Sequence, residues 1–105
     1  MASQDRASDR LDVITVGRSS VDLYGQQIGS RLQDVASFAK SVGGCPANIA
    51  IGAARLGLKS GIITRVGAEQ MGDYIKEQMT REGVAIDGIV TDRADLALAV
   101  VAERR

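Results

Sequence analysis

Histidine is absent from these 105 residues, and its absence removes every Ser-His-Asp, Cys-His or histidine-based acid–base scheme from consideration. Proton transfer would have to use a carboxylate, a lysine or a tyrosine. Cysteine occurs once, at Cys45, which excludes an intrachain disulfide and leaves no Cys or His cluster to act as soft metal ligands. That usage fits a reducing, cytoplasmic setting, and the lone thiol reads as a small buried filler. Net charge is lacking too, with 13 Lys plus Arg against 13 Asp plus Glu. A chain so balanced has no bulk electrostatic reason to meet nucleic acid or an anionic membrane. Met1 to Arg10 is polar and charged without an apolar segment, so it is expected to be neither signal peptide nor membrane anchor, and residues 1–10 read as a disordered tail. No internal repeat or low-complexity segment is present.

What the chain does contain is an alternation of apolar runs and glycine stops. Asp12 to Val16 is a β-branched run ending at Gly17, which predicts a buried strand with Asp22 just beyond its carboxyl end. Tyr24 to Val42 is polar, and a partial alternation at Phe38, Lys40 and Val42 predicts short strands there. From Ala47 to Leu56 nearly every residue is apolar or small, so a helix buried around most of its circumference is expected, stopped by Gly57. Ile62 to Val66 predicts a second strand. Met71, Ile75 and Met79 recur at helical spacing, with Tyr74 and Gln78 flanking them and Gly83 as terminator. Ile86 to Thr91 and Leu96 to Val101 are further candidate strands. The succession argues for an open α/β sheet with parallel strands, those at 12–16 and 62–66 being neighbours joined through the 47–56 helix.

The most informative motif is Gly43-Gly44-Cys45-Pro46-Ala47-Asn48-Ile49-Ala50, followed by Gly57 and Gly67. A Gly-Gly pair permits close backbone approach or hinging. Pro46 suits a first helical turn, and Asn48 brings a side chain that both donates and accepts, as a sugar requires. With Val16-Gly17-Arg18-Ser19-Ser20-Val21-Asp22-Leu23-Tyr24, this run resembles the N-terminal signature of the ribokinase-like (PfkB) carbohydrate kinases. The resemblance covers Leu11 to about Thr91 and implies the N-terminal part of a mostly parallel α/β sheet with a small β lid at about 24–42.

Each candidate site residue also has a structural reading. Asp22 would be a turn carboxylate by itself; the resemblance implies that it contacts the sugar. Asn48 alone suits a helix N-cap, a role compatible with a ligand contact. Gly43 and Gly44 would make a plain turn, and the resemblance implies a hinge between lid and core whose closure excludes water. Arg18 and Lys40 could meet a substrate carboxylate, although isolated cations in loops are usually solvated. Arg65 and Glu69 could form a structural pair. Gly52 to Ser60 approaches a phosphate-binding loop, but its glycine ends a helix where phosphate binding needs one to begin. Asp73 reads as a first-turn carboxylate favoured by the helix dipole.

The resemblance therefore implies an ATP- and Mg-dependent kinase acting on a small-molecule sugar or sugar acid, with a possible homodimer through the lid. Its nucleotide site and catalytic base have no counterpart here, so residues 11–105 are expected to be an N-terminal fragment with no cofactor and no activity of its own. A non-catalytic sugar-binding or dimerising module and an inactive remnant are the competing expectations.

Overall fold

The computed structural model describes residues 10–93 and the backbone of residues 100–103. The expected tail, apart from Arg10, and the first part of the last expected strand lie outside the described residues. The elements are β1 (Val13–Val16), β2 (Ser20–Gly25), a short 3-10 turn (Leu32–Asp34), β3 (Phe38–Gly43), α1 (Cys45–Arg55), β4 (Ser60–Gly67), α2 (Gln70–Arg81), β5 (Ile89–Asp92) and β6 (Val100–Glu103).

Two sheets are built from these strands, in the orders β1-β4-β5 and β3-β2-β6. The first is parallel throughout: β1 pairs β4 from Val13 opposite Ser60 to Val16 opposite Ile63, and β4 pairs β5 from Thr64 opposite Ile89 to Gly67 opposite Asp92. The strands expected at 12–16 and 62–66 are thus parallel neighbours. In the second sheet β2 and β3 run antiparallel from Ser20 opposite Gly43 to Gly25 opposite Phe38, while β6 joins β2 in parallel. The β2–β3 hairpin leaves the first sheet where β1 ends and returns to it through α1.

Both helices pack on one face of the parallel sheet, where Ala47, Ala50, Ile62, Val66, Ile75, Met79 and Val84 form the core with Val21 of β2. Burying a side chain such as Ile62 or Met79 contributes roughly 1.5–3 kcal/mol. The opposite face carries Ile14, Val16, Ile63 and Val90, all exposed, although parallel sheets are ordinarily covered on both sides. Hydroxyls tie the layers together. Ser60 donates to the Ala50 carbonyl at 2.7 Å, Thr15 donates to that of Pro46 at 2.9 Å, and the buried Ser19 and Thr64 hydroxyls lie 3.1 Å apart.

Helix ends explain the boundaries. Gly57, with φ +95°, follows α1, and the N–H groups of Gly57 and Leu58 return to the carbonyls of Ala54 and Ala53, closing a Schellman motif. Gly83 and Val84 close α2 in the same way on Thr80 and Met79. Glu69 caps the start of α2, accepting from the Met71 and Gly72 N–H groups at 2.8 and 2.9 Å. It is therefore not the partner of Arg65, which donates to Asp92 at 2.9 Å. The expectation of a helix buried around most of its circumference is also corrected. Ala47 and Ala50 are buried but Ile49 is 57% exposed, because α1 has a sheet on one side only. Cys45, expected to be a buried filler, is exposed at the first turn of α1.

Candidate substrate site

The candidate site forms around the β2–β3 hairpin and the turn into α1. Strand pleating places alternate residues on one face, so the register puts Ser20, Asp22 and Tyr24 of β2 beside Gly43, Ser41 and Ala39 of β3. Val21, Leu23 and Val42 occupy the other face, toward the core. Asp22 is thus a strand residue rather than a residue of the loop after β1. The sequence favoured a loop because Gly17 to Ser19 breaks the apolar run, and the strand that follows carries polar residues on its open side.

Both oxygens of the Asp22 carboxylate are engaged. The Ser20 hydroxyl donates to Oδ1 at 2.8 Å, and the Tyr24 hydroxyl donates to Oδ2 at a long 3.4 Å. Gly43 makes room for the group: a Cβ at that position would collide with the Asp22 carboxylate. Gly44, with φ +97°, occupies the N-cap position of α1, and a Cβ there would lie 2.5 Å from the Arg18 carbonyl oxygen. Only glycine combines that backbone angle with so close an approach. The two glycines therefore bind the hairpin's two ends together, Gly43 beneath Asp22 and Gly44 against Arg18. The Arg18 side chain itself is exposed.

Asn48 is not the helix cap, because Gly44 holds that position and the Asn48 N–H donates to the Gly44 carbonyl at 2.9 Å as an ordinary helical bond. Its exposed side chain lines a cleft of about 420 Å³ shared with Lys40, Ser41, Val42, Tyr74 and Gln78. Ser41 belongs to both regions, as the register partner of Asp22 and as part of the cleft wall. The structure thus brings Asp22 onto Gly43 and Arg18 onto Gly44, while Asn48 lines the cleft with Lys40 and Val42, which lie on the hairpin face opposite to Asp22.

Within that cleft the Lys40 ammonium lies 5.1 Å from the centre of the Tyr74 ring, and the Tyr74 hydroxyl donates to the Lys40 carbonyl at 3.4 Å. Burial pushes the Tyr74 phenol up from its ordinary pKa, and the Arg81 charge partly opposes this. At the far end Arg55 grips Glu82 with two bonds of 2.8 and 2.6 Å. Those hydrogen bonds, aided by the opposite charges, draw the Glu82 carboxyl below its ordinary value and raise the Arg55 guanidinium. Lys40 lies on the strand face opposite to Asp22, opposite Leu23 in the register.

Ser20, Tyr24 and Tyr74 were not singled out in the sequence. Once β2 is known to be a strand, Ser20, Asp22 and Tyr24 stand at alternate positions on one face, a pattern readable from the sequence. Tyr74 reaches Lys40 only through tertiary packing.

No cluster of three or more His, Cys, Asp or Glu able to hold a metal is present among the described residues. The near phosphate-loop at Gly52–Ser60 is the Schellman end of α1, where carbonyls rather than N–H groups face outward. No described helix is long and apolar enough to cross a membrane.

Solved sugar kinases share this architecture. A PfkB protein from Polaromonas superposes with a TM-score of 0.82 at 34% identity, covering 91% of this chain and 32% of that one. A sugar kinase from Pyrococcus horikoshii, solved in complex with ATP, gives 0.78 at 38% identity, covering 86% and 29%. The match to the pfkB family of carbohydrate kinases runs over residues 10–105, and the chain belongs to that family. Among curated relatives, the 5-dehydro-2-deoxygluconokinase of Geobacillus thermodenitrificans is 44% identical over 84 residues, 80% of this chain and 25% of its own length. That of Photobacterium profundum is 41% identical over 91 residues, 87% and 27% of the two chains. This chain therefore spans about a quarter of the length of those relatives.

Proposed function

We propose that these residues form the lid and part of the acceptor site of a kinase that transfers the γ-phosphoryl of ATP to a primary hydroxyl of a sugar acid, 5-dehydro-2-deoxygluconate or a close analogue. The observation that carries this reading is the Asp22 carboxylate, set on the open polar face of the hairpin above Gly43. In this role Asp22 accepts hydrogen bonds from substrate hydroxyls, and Asn48 supplies a second polar contact to the sugar from the first turn of α1. Arg18, exposed beside the Gly43–Gly44 turn, meets the substrate carboxylate. The Gly43–Gly44 turn serves as the hinge by which the hairpin closes over substrate and excludes water. ATP and Mg²⁺ belong to the part of the kinase beyond these residues, so the chain by itself transfers no phosphoryl group. Positioning of the acceptor is what this segment contributes to catalysis. The curated relatives of that name support the choice of acid, and a soluble cytoplasmic setting suits it.

The test uses a full-length kinase in which residues 10–92 of this chain replace the matching segment of the Geobacillus thermodenitrificans relative. Asp22→Ala there is expected to raise KM for 5-dehydro-2-deoxygluconate roughly ten- to a hundredfold, the loss of a charge-assisted bond, while KM for ATP stays within about twofold. Unchanged sugar kinetics in that variant would return Asp22 to a purely structural role.

A further inference from the structure

An aspartate on the solvent side of a strand is normally free to turn about two side-chain torsions, and ordering it on substrate binding costs affinity. Asp22 is not free in this way. Ser20 is only 3% exposed, and its hydroxyl donates to Asp22 Oδ1 at 2.8 Å. A hydroxyl so buried has little water to exchange with, so the bond persists. Tyr24 reaches Oδ2 from the other side at 3.4 Å. The recess over Gly43 fixes the remaining direction, since the carboxylate occupies the space a Cβ would take.

We propose that Ser20 is a positioning residue for sugar recognition: it holds the Asp22 carboxylate in one orientation before substrate arrives. The inference rests on the reading of Asp22 as the substrate's hydroxyl acceptor and adds to it a residue that acts through Asp22. An ionised carboxylate offers about four acceptor sites. Ser20 and Tyr24 take one on each oxygen. The remaining pair is fixed in one orientation before substrate arrives. Ser20 touches no substrate in this arrangement and acts through Asp22, with Tyr24 as the weaker second support because its bond is longer.

The test is a double-mutant cycle in the full-length kinase described above, with Ser20→Ala, Asp22→Ala and the pair. Ser20→Ala is expected to raise KM for 5-dehydro-2-deoxygluconate roughly three- to tenfold while kcat and the ATP KM stay within about twofold. In the Asp22→Ala background the same substitution is expected to change nothing further, because the group it orients is gone. Tyr24→Phe should show a smaller rise. Three outcomes overturn the inference: no change in sugar KM from Ser20→Ala, the same fold-change in both backgrounds, or a joint loss of sugar and ATP use that marks a merely structural serine. Should Asp22→Ala itself leave sugar KM unchanged, the acceptor reading fails and this inference falls with it. A normal Asp22→Ala effect with an additive Ser20→Ala effect removes the positioning role alone.

Discussion

Gly43 lies directly beneath the Asp22 carboxylate, so close that a methyl group on Gly43 and the carboxylate cannot occupy their places together. The obstructed atoms are the end of a rotatable side chain, so Gly43→Ala is expected to turn Asp22 aside rather than disrupt β3. Stability of the full-length kinase should change by about 1 kcal/mol or less, a Tm shift of no more than roughly 2–4 °C for a chain of that size. Sugar KM in the full-length kinase should nevertheless rise about tenfold or more, as if the charge-assisted bond were lost. Thermal melting and acceptor kinetics on the same preparation separate the two effects, and a large loss of stability would show Gly43 to be structural first.

Gly72 makes the opposite prediction. A Cβ on it would strike the Gly67 carbonyl, which is backbone and ends β4. That atom cannot swing away without displacing either the strand or the first turn of α2. Gly72→Ala is expected to cost roughly 1–3 kcal/mol or more, the range for overpacking a close contact. Urea denaturation measures it, and a midpoint equal to that of the unsubstituted chain would contradict the geometry.

Much of this was legible in the sequence because apolar periodicity and glycine stops report local structure directly. The runs at Asp12–Val16 and Ile62–Val66 emerge as strands Val13–Val16 and Ser60–Gly67, and the Met71-Ile75-Met79 stripe as a helix. The Gly43–Gly44 turn was legible for the same reason. Asp22 reads as a turn residue in the sequence because β2 has one apolar face and one polar one, and its alternation begins only three residues after Gly17. Asn48 resembled a cap by residue type, yet Gly44 takes that place, since only its backbone angle fits against Arg18. Glu69 and Arg65 stand four residues apart, but the first is held by the N–H groups of α2 and the second by Asp92 across the strand pair. Such choices among competing partners are settled by packing, which periodicity does not encode.

The Arg55–Glu82 fork predicts a pH dependence whose direction follows from the lowered Glu82 pKa. A carboxyl with a folded-state pKa below its unfolded value contributes stability that is fully present above the ordinary value, about 4.5. That contribution is lost as pH falls through the lowered folded value. The raised Arg55 pKa has no effect in this range, because arginine stays charged in folded and unfolded chains alike throughout it. Comparing urea midpoints at pH 7 and pH 3, the unsubstituted chain should lose more stability on acidification than Glu82→Gln. Equal losses would show that solvent screens the pair out.

Asn48→Ala separates a structural asparagine from a functional one. Since Gly44 is the N-cap and Asn48 lies within α1 with its side chain at the cleft, removing the amide takes nothing from the helix start. Alanine is the better helix former, so the substitution is expected to leave stability unchanged or raise it by roughly 0.5 kcal/mol. A capping asparagine would behave otherwise, costing about 1 kcal/mol on conversion to alanine. Acceptor kinetics should move against stability: sugar KM in the full-length kinase is expected to rise about fivefold to tenfold, the loss of a neutral hydrogen bond of about 1 kcal/mol or slightly more, with the ATP KM unaltered. The rise should be smaller than for Asp22→Ala, whose bond is charge-assisted. A destabilised protein with unchanged sugar KM would reverse the assignment and make Asn48 part of the scaffold.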